Sequence, residues 1–218
     1  MSNIFAVYKP KGPSSHDVVD EIRRRTGIKK VGHAGTLDPL AQGVLVIGIG
    51  REATRQLSTE VKKEKEYIAK ICLGETTQTD DSEFEPRKCA KKYKEPRKEH
   101  VENIVKSFCG KIKQVPPKYS ALKIKGKPAY IYARQGKEIE MVPRQVEIKE
   151  IELLSFKWPF LFIRAVTGPG VYIRSLARDI GEMLGVGGYL MDLERTRVGE
   201  FTVGDCVPIH EINNKIVL

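Results

Sequence analysis

Residues 32–43 read GHAGTLDPLAQG. Three glycines, Gly32, Gly35 and Gly43, surround the pair Asp38-Pro39, and the apolar run Val44 to Ile49 follows at once. An Asp-Pro step forms turns, because the carboxylate accepts a backbone N–H and the proline ring fixes the next φ. Glycines on either side allow a closer backbone approach than a plain surface turn needs. The stretch therefore predicts a tight loop feeding a strand, with Asp38 at the mouth of a sheet where a ligand could reach it. The ordinary alternative is an Asp-Pro turn without chemistry.

Elsewhere the pattern alternates between strand-like and helix-like pieces. Runs rich in β-branched or aromatic residues predict strands at Ile4 to Tyr8, Val44 to Ile49, Tyr67 to Leu73, Val146 to Phe156 and Leu161 to Val166. Ser14, three residues before Asp17, resembles a capping box; Val18, Val19 and Ile22 then make an apolar stripe that Gly27 ends. Val101, Ile104, Val105 and Phe108, closed by Gly110, predict a second helix. A third is expected from Ile173 to Leu184, with Leu176, Ile180, Met183 and Leu184 on one face. Two long strands follow one another across Trp158-Pro159, against the regular alternation of a doubly wound parallel sheet. The expected class is α+β: a mixed, largely antiparallel central sheet flanked by helices.

With 218 residues, 40% of them hydrophobic, the chain is long enough to bury a full core. The net charge of +10 suggests a polyanionic partner. Nucleic acid is favoured over an anionic membrane, because no basic helix with a clean apolar face appears. Cys72, Cys89, Cys109 and Cys206 lie far apart and form no C-x-x-C, which fits a reduced, cytoplasmic setting and no zinc site. No apolar run reaches transmembrane length and the first residues lack a signal-peptide core.

Two stretches concentrate positive charge. Glu85 to His100 holds seven Lys or Arg and two prolines, and reads as a mobile surface connection. Lys111 to Arg144 holds nine Lys or Arg with Tyr119, Tyr130 and Tyr132 interleaved. Cations neutralise phosphates and aromatic rings stack on unpaired bases, so the second stretch suits folded RNA with exposed loop bases. The alternative is tyrosines at a core edge with lysines facing water.

Several chemistries lose support. The chain has no phosphate-binding G-x-x-x-x-G-K-[ST], no dinucleotide G-x-G-x-x-G after a strand, no H-E-x-x-H and no G-x-S-x-G. His16, His33, His100 and His210 are too scattered to read as a metal cluster.

The segment GHAGTLDPLAQGVL resembles the signature loop of the TruB family of tRNA pseudouridine synthases. VYKPKGPSSHDVV resembles that family's first strand, turn and helix, and KEYIAKICLGETTQTDD its tyrosine-bearing strand. QVPPKYSALKIKGKPAYIYARQG is similar to its RNA-gripping insertion, GVYIRSLARDIGEMLG to its arginine-bearing helix, and LERTRVGEF to the segment closing the catalytic domain. The likeness runs from about Ile4 to Asp205.

The resemblance implies isomerisation of uridine to pseudouridine at position 55 in the T loop of tRNA, in the cytoplasm, by a monomer with no metal and no cofactor. Asp38 is then the nucleophile. The target base must first be flipped out of its loop, at a cost of a few kcal/mol that RNA contacts offset. Burial beneath a base disfavours a charged carboxylate, and a nearby cation counters this. The resemblance assigns that cation to Arg174 and makes Tyr67 the residue that stacks on the base and is a candidate for proton abstraction. Tyr172 and Leu193 match positions lining the uridine pocket, His33 the histidine that inserts into the RNA, and Lys9 a support of the loop or a phosphate contact. Taken alone, Tyr67, Tyr172 and Leu193 read as packing, Arg174 as a helix-surface charge and His33 as a loop histidine bonded to backbone.

The expected organisation is a catalytic domain over residues 1–210, including an RNA-binding insertion at about 111–144, then a tail at 211–218. The small C-terminal domain of the PUA type common in bacterial members is not expected here. Basic residues near Lys91 are candidates to compensate in tRNA binding. An RNA-guided synthase acting within a ribonucleoprotein particle and a tRNA chaperone without catalysis are the alternatives. Asp38 argues against the chaperone, because a surface built to hold RNA gains nothing from an anion.

Overall fold

The computed structural model describes residues 3–89, 93–124 and 126–213. In chain order the elements begin with β1 (Ile4–Lys9), α1 (Ser15–Thr26), β2 (Val31–Ala34), β3 (Ala41–Ile49), α2 (Arg51–Glu60) and β4 (Lys65–Leu73). There follow β5 (Glu75–Thr76), β6 (Arg87–Lys88), α3 (Lys98–Ser107), β7 (Gly110–Gln114), β8 (Lys123–Ile124), β9 (Lys127–Pro128) and α4 (Ala129–Arg134). The last elements are β10 (Arg144–Lys157), β11 (Phe160–Thr167), α5 (Ile173–Met183), β12 (Gly188–Val198), β13 (Phe201–Thr202) and β14 (Cys206–Val207). The chain forms two compact units, one of Met1–Ile68, Val166–Pro169 and Leu193–Leu218, the other of Ala69–Ala165 and Gly170–Asp192.

In the first unit the strand order is β14-β1-β3-β12, with β2 also on β3 and β13 on β12. The β1–β3, β2–β3 and β12–β13 pairs are antiparallel, whereas β1–β14 and β3–β12 are parallel. This is the mixed, largely antiparallel α+β arrangement expected. The unbroken apolar run of β3 reflects burial on both faces. Leu45, Ile47 and Ile49 pack with Val18, Val19 and Ile22 of α1. Val44 and Val46 face the other way, toward Leu57 of α2. Truncating a fully buried residue such as Ile47 to alanine costs about 2–5 kcal/mol.

The start of α1 forms as its sequence dictates. The Asp17 amide donates to Ser14 Oγ at 3.2 Å and the Ser14 amide to Asp17 Oδ2 at 2.7 Å, a reciprocal capping box. The Ser14 hydroxyl and amide hold the Asp17 carboxyl below its ordinary pKa. Gly27, at φ 70°, ends the helix in the left-handed conformation.

In the second unit β4 from Ala69 onward, β11 as far as Ala165, β10 and β7 follow in that order. β7 pairs antiparallel with β10 from Gln114 opposite Arg144 to Gly110 opposite Ile148. The insertion between them holds the β8–β9 hairpin and α4.

The structure corrects several boundaries. β3 starts at Ala41, three residues earlier than expected, so Gly43 lies inside a strand. β2, α2 and β12 form where the sequence pattern predicted no element. Met183 is 53% exposed; the buried face of α5 is instead Ile173, Arg174, Ser175, Leu176, Ala177, Ile180 and Gly181. Gly181 belongs there because a Cβ would stand 2.3 Å from the backbone of Gly187 and Gly188. All four cysteines are free thiols. Among the described residues no helix is long and apolar enough to cross a membrane, and no three His, Cys, Asp or Glu cluster as metal ligands.

Candidate active site

In the first unit the Asp38 loop is tied to the chain before α1. Lys9 is wholly buried, and its Nζ donates to Pro10 O at 2.8 Å and Pro13 O at 2.7 Å. These bonds hold the 10–13 turn in place. From it Gly12 N donates to Pro39 O at 2.9 Å, and the next residues add a two-way bond between Ser15 Oγ and the Leu37 backbone. Ala41 N donates to Asp38 O at 3.0 Å, which closes the Asp-Pro turn as β3 begins. Asp38 is half-buried, held on both sides.

Strand register gathers further residues there. Across β1, β3 and β12, Lys9 stands opposite Gly43 and Gly43 opposite Arg195; Leu193 pairs with Ala41. At Gly43, φ is 109° and a Cβ would lie 2.2 Å from Arg195 O, so only glycine fits. The Arg195 side chain is 1% exposed and donates from Nε to Val44 O at 2.8 Å and from Nη2 to Gly35 O at 2.9 Å. It spans the loop, one anchor before Asp38 and one after. Buried Lys65 donates to Val61 O at 2.8 Å and Lys63 O at 2.6 Å.

Three buried cations thus share one unit with the loop. Burial pushes Lys9 down to about 8; Asp38 works the other way and Arg195 adds to the fall. Lys65 is also pushed down to about 8, by burial and then by Arg195. Cations in a water-poor interior create a field that favours an anion beside them.

His33 lies in β2, opposite Ile47, rather than in a loop. Burial, then the charges of Arg195 and His16, push its pKa down, so the neutral imidazole is favoured. Its buried Nδ1 has no hydrogen-bond partner among the described residues. Tyr67 is 7% exposed on β4 and Leu193 is 7% exposed on β12. Asp38, Lys9 and Leu193 are thus brought together, with His33 and Tyr67 in the same unit.

Arg174 and Tyr172 belong to the second unit. Arg174 is 5% exposed, a buried cation and no helix-surface charge. Its Nη1 lies 3.4 Å from Asp81 Oδ2 and donates to Thr79 O at 3.3 Å. Asp81, itself wholly buried, accepts from Thr79 Oγ1 at 2.5 Å and from Glu83 N at 3.0 Å through Oδ1. Tyr172 is the N-cap residue of α5 and is half-buried.

In the insertion every described lysine and arginine from Lys111 to Arg144 is exposed, and Arg134 lies 5.5 Å from the centre of the Tyr130 ring. A cavity of about 470 Å³ opens there, lined by Gln78, Asp80, Lys118, Tyr119, Lys137 and Arg178 among others. In the other basic stretch Arg87 and Lys88 form β6 and are exposed, while Lys91 and Lys92 lie outside the described residues.

Sequence reasoning missed Arg195, Lys65, Asp81 and Gln114 as functional candidates. Each sits in a motif quoted for other reasons, and the only available signal was a charge or amide within an otherwise apolar strand or strand end.

The structure thus presents an Asp-bearing, glycine-flanked loop on a mixed α+β sheet with buried cations around it, and a basic, tyrosine-rich insertion in the second unit. Family comparison is specific: residues 23–173 match the TruB family pseudouridylate synthase N-terminal domain, and residues 174–218 the tRNA pseudouridylate synthase B C-terminal domain. The chain belongs to the TruB family. It is 44% identical over 221 residues to tRNA pseudouridine synthase B of Thermosipho melanesiensis, covering all of this chain and 71% of that protein. Against the enzyme of that name from Desulfotalea psychrophila it is 46% identical over 211 residues, 94% of this chain and 85% of that one. A chain in the crystal structure of a Cbf5-Nop10-Gar1 complex superposes with a TM-score of 0.74 at 30% identity over 95% of this chain. This chain spans about half of that one, 52%.

Proposed function

We infer that the protein isomerises uridine to pseudouridine in tRNA, at position 55 of the T loop, acting as a cytoplasmic monomer without a cofactor. The observation that carries this reading is the identity of 44–46% over at least 94% of the chain with tRNA pseudouridine synthase B proteins, in a chain whose Asp38 loop is rigidly anchored. The chemistry asks for little else. The N1–C1′ bond breaks, the uracil turns, and C5 bonds to C1′; the C5 hydrogen leaves as a proton and N1 regains one, so no electrons are exchanged.

In this reading Asp38 is the nucleophile, toward either the uracil ring or C1′, and Arg174 is its counter-cation. Tyr67 stacks on the base and is a candidate for moving the proton. Tyr172 and Leu193 line the uridine pocket, His33 enters the gap left by the flipped nucleotide, and Lys9 holds the loop through Pro10 and Pro13. The insertion at about 111–144 of the catalytic domain (residues 1–210) grips the T arm through exposed cations and tyrosines, offsetting the few kcal/mol of base flipping.

An RNA-guided synthase is the second reading, favoured by the 30% identity to a chain of the Cbf5-Nop10-Gar1 complex. One experiment separates the two: incubation of purified protein with an unmodified tRNA transcript and no guide RNA, then mapping of pseudouridine. Modification at position 55 alone supports the first reading. No modification without a guide, or modification elsewhere, overturns it.

A further inference from the structure

Helix α5 carries a second arginine, Arg178, one turn beyond Arg174, whose role the reaction above leaves open. Its Nη1 donates to Asp80 Oδ2 at 2.8 Å, its Nη2 to Val115 O at 2.9 Å, and its Nε to Asp179 Oδ1 at 3.0 Å. Asp80 holds φ at 62°, a left-handed conformation uncommon for any residue but glycine. Adjacent aspartates thereby meet two arginines four residues apart on one helix face, Asp81 against Arg174 and Asp80 against Arg178.

The insertion is joined to the same helix at its root. Gln114, the last residue of β7, is 1% exposed and uses both ends of its amide on one backbone position. Its Oε1 accepts from Tyr172 N at 2.8 Å, and its Nε2 donates to Tyr172 O at 3.2 Å. The next residue, Val115, offers its carbonyl to Ser175 Oγ at 2.8 Å as well as to Arg178. Four hydrogen bonds thus tie Gln114-Val115 to Tyr172, Ser175 and Arg178, on either side of Arg174. A helix that merely packed on a strand would need no such set, since Leu176 and Ile180 already bury its apolar face.

We propose that Gln114 and Arg178 are positioning residues that fix Arg174 to the root of the RNA-binding insertion, so that the hold on RNA and the placement of the arginine are one mechanical unit. This rests on the functional reading above. Gln114 acts through the Tyr172 backbone and Arg178 through Val115 and Asp80; neither is assigned contact with the reacting atoms.

The test pairs single-turnover kinetics on a T-arm hairpin with hydrogen exchange of the RNA-free protein. Gln114→Met keeps the side-chain length and removes both bonds. Its rate constant at saturating RNA should fall at least tenfold, with the RNA Kd unchanged within threefold. Gln114→Glu, once its buried carboxyl is protonated, offers the same donor and acceptor; at pH 6, relative to wild type at that pH, it should recover part of the lost rate. Arg178→Lys, which keeps the charge but not the fork, should fall between wild type and Gln114→Met. In both Gln114→Met and Arg178→Lys, amide exchange should quicken together at residues 111–118 and 172–178.

A Gln114→Met rate within twofold of wild type, or a loss appearing only in Kd, overturns the proposal. So does faster exchange at one segment without the other. Should Gln114→Met fail to fold, Gln114→Glu and Arg178→Lys decide on the same criteria. A wild-type protein that makes no pseudouridine removes the functional reading, and the exchange measurement then rules on the coupling by itself.

Discussion

Ser15 and Leu37 exchange two hydrogen bonds across 22 residues of chain: Leu37 N donates to Ser15 Oγ at 2.8 Å, and the same hydroxyl donates to Leu37 O at 3.0 Å. Both residues are buried, so neither backbone group has water to fall back on. One hydroxyl in the first turn of α1 thereby fixes the residue before Asp38. Ser15→Ala should cost about 1–3 kcal/mol in urea unfolding and should slow pseudouridine formation even at temperatures where the variant is fully folded. An unchanged rate in the folded variant would show that the anchor serves stability alone.

Asp38→Asn keeps the shape of the turn and removes the anion. Pseudouridine formation should become undetectable, while tRNA binding by filter retention stays within a few fold. Turnover by the asparagine variant would remove Asp38 as nucleophile.

Gly43→Ala meets two obstacles at once, a φ of 109° and a Cβ 2.2 Å from Arg195 O. The neighbour is strand backbone and cannot swing aside. Stability should drop by roughly 3 kcal/mol or more, seen as a lower urea midpoint or loss of soluble protein. A variant as stable as wild type would mean that β3 and β12 separate more readily than their register implies.

Lys65 gives stability a pH dependence of known sign. Its folded pKa of about 8 lies below the ordinary 10.5, so between these values the unfolded chain holds a proton that the folded one has released. Stability therefore rises with pH across that window; below about 8 the penalty is complete and constant, and above 10.5 it is gone. Compared with Lys65→Met, wild type should gain as much as about 1.4 kcal/mol per pH unit on going from pH 8 toward pH 10. Urea titrations of both proteins at three pH values check this, and a difference flat with pH contradicts it.

The basic stretch before α3 makes a salt-dependent prediction. Replacing Lys88, Lys91 and Lys92 with glutamine should weaken tRNA binding. It should also flatten the dependence of log Kd on log salt, by about 0.7 to 0.9 for each phosphate that is no longer neutralised. Binding and slope both equal to wild type would leave this stretch outside the RNA interface.

Much of this was legible in one dimension because the signals are local. The Ser14–Asp17 box, the stop at Gly27 and the unbroken apolar run of β3 each follow from neighbours in sequence. Asp38 drew attention through its flanking glycines, and the family likeness through contiguous motifs. What escaped depends on residues far apart in the chain. Arg195 gains its role only because register sets it beside Gly43, and Gln114 only because Tyr172 presents its backbone to it. Apart from the family resemblance, Arg174 read as a surface charge because helical period alone does not say which face another element covers. Met183 read as core for the same reason.

The α+β class, the anion-bearing loop and the excess of positive charge were settled by the sequence alone, since each rests on propensity, turn chemistry or composition. Tertiary structure decided which charges are buried and what each one touches. Ser15 bonds to Leu37, 22 residues away, and Arg195 to Gly35, 160 residues away. Only the folded chain brings such partners within hydrogen-bonding distance.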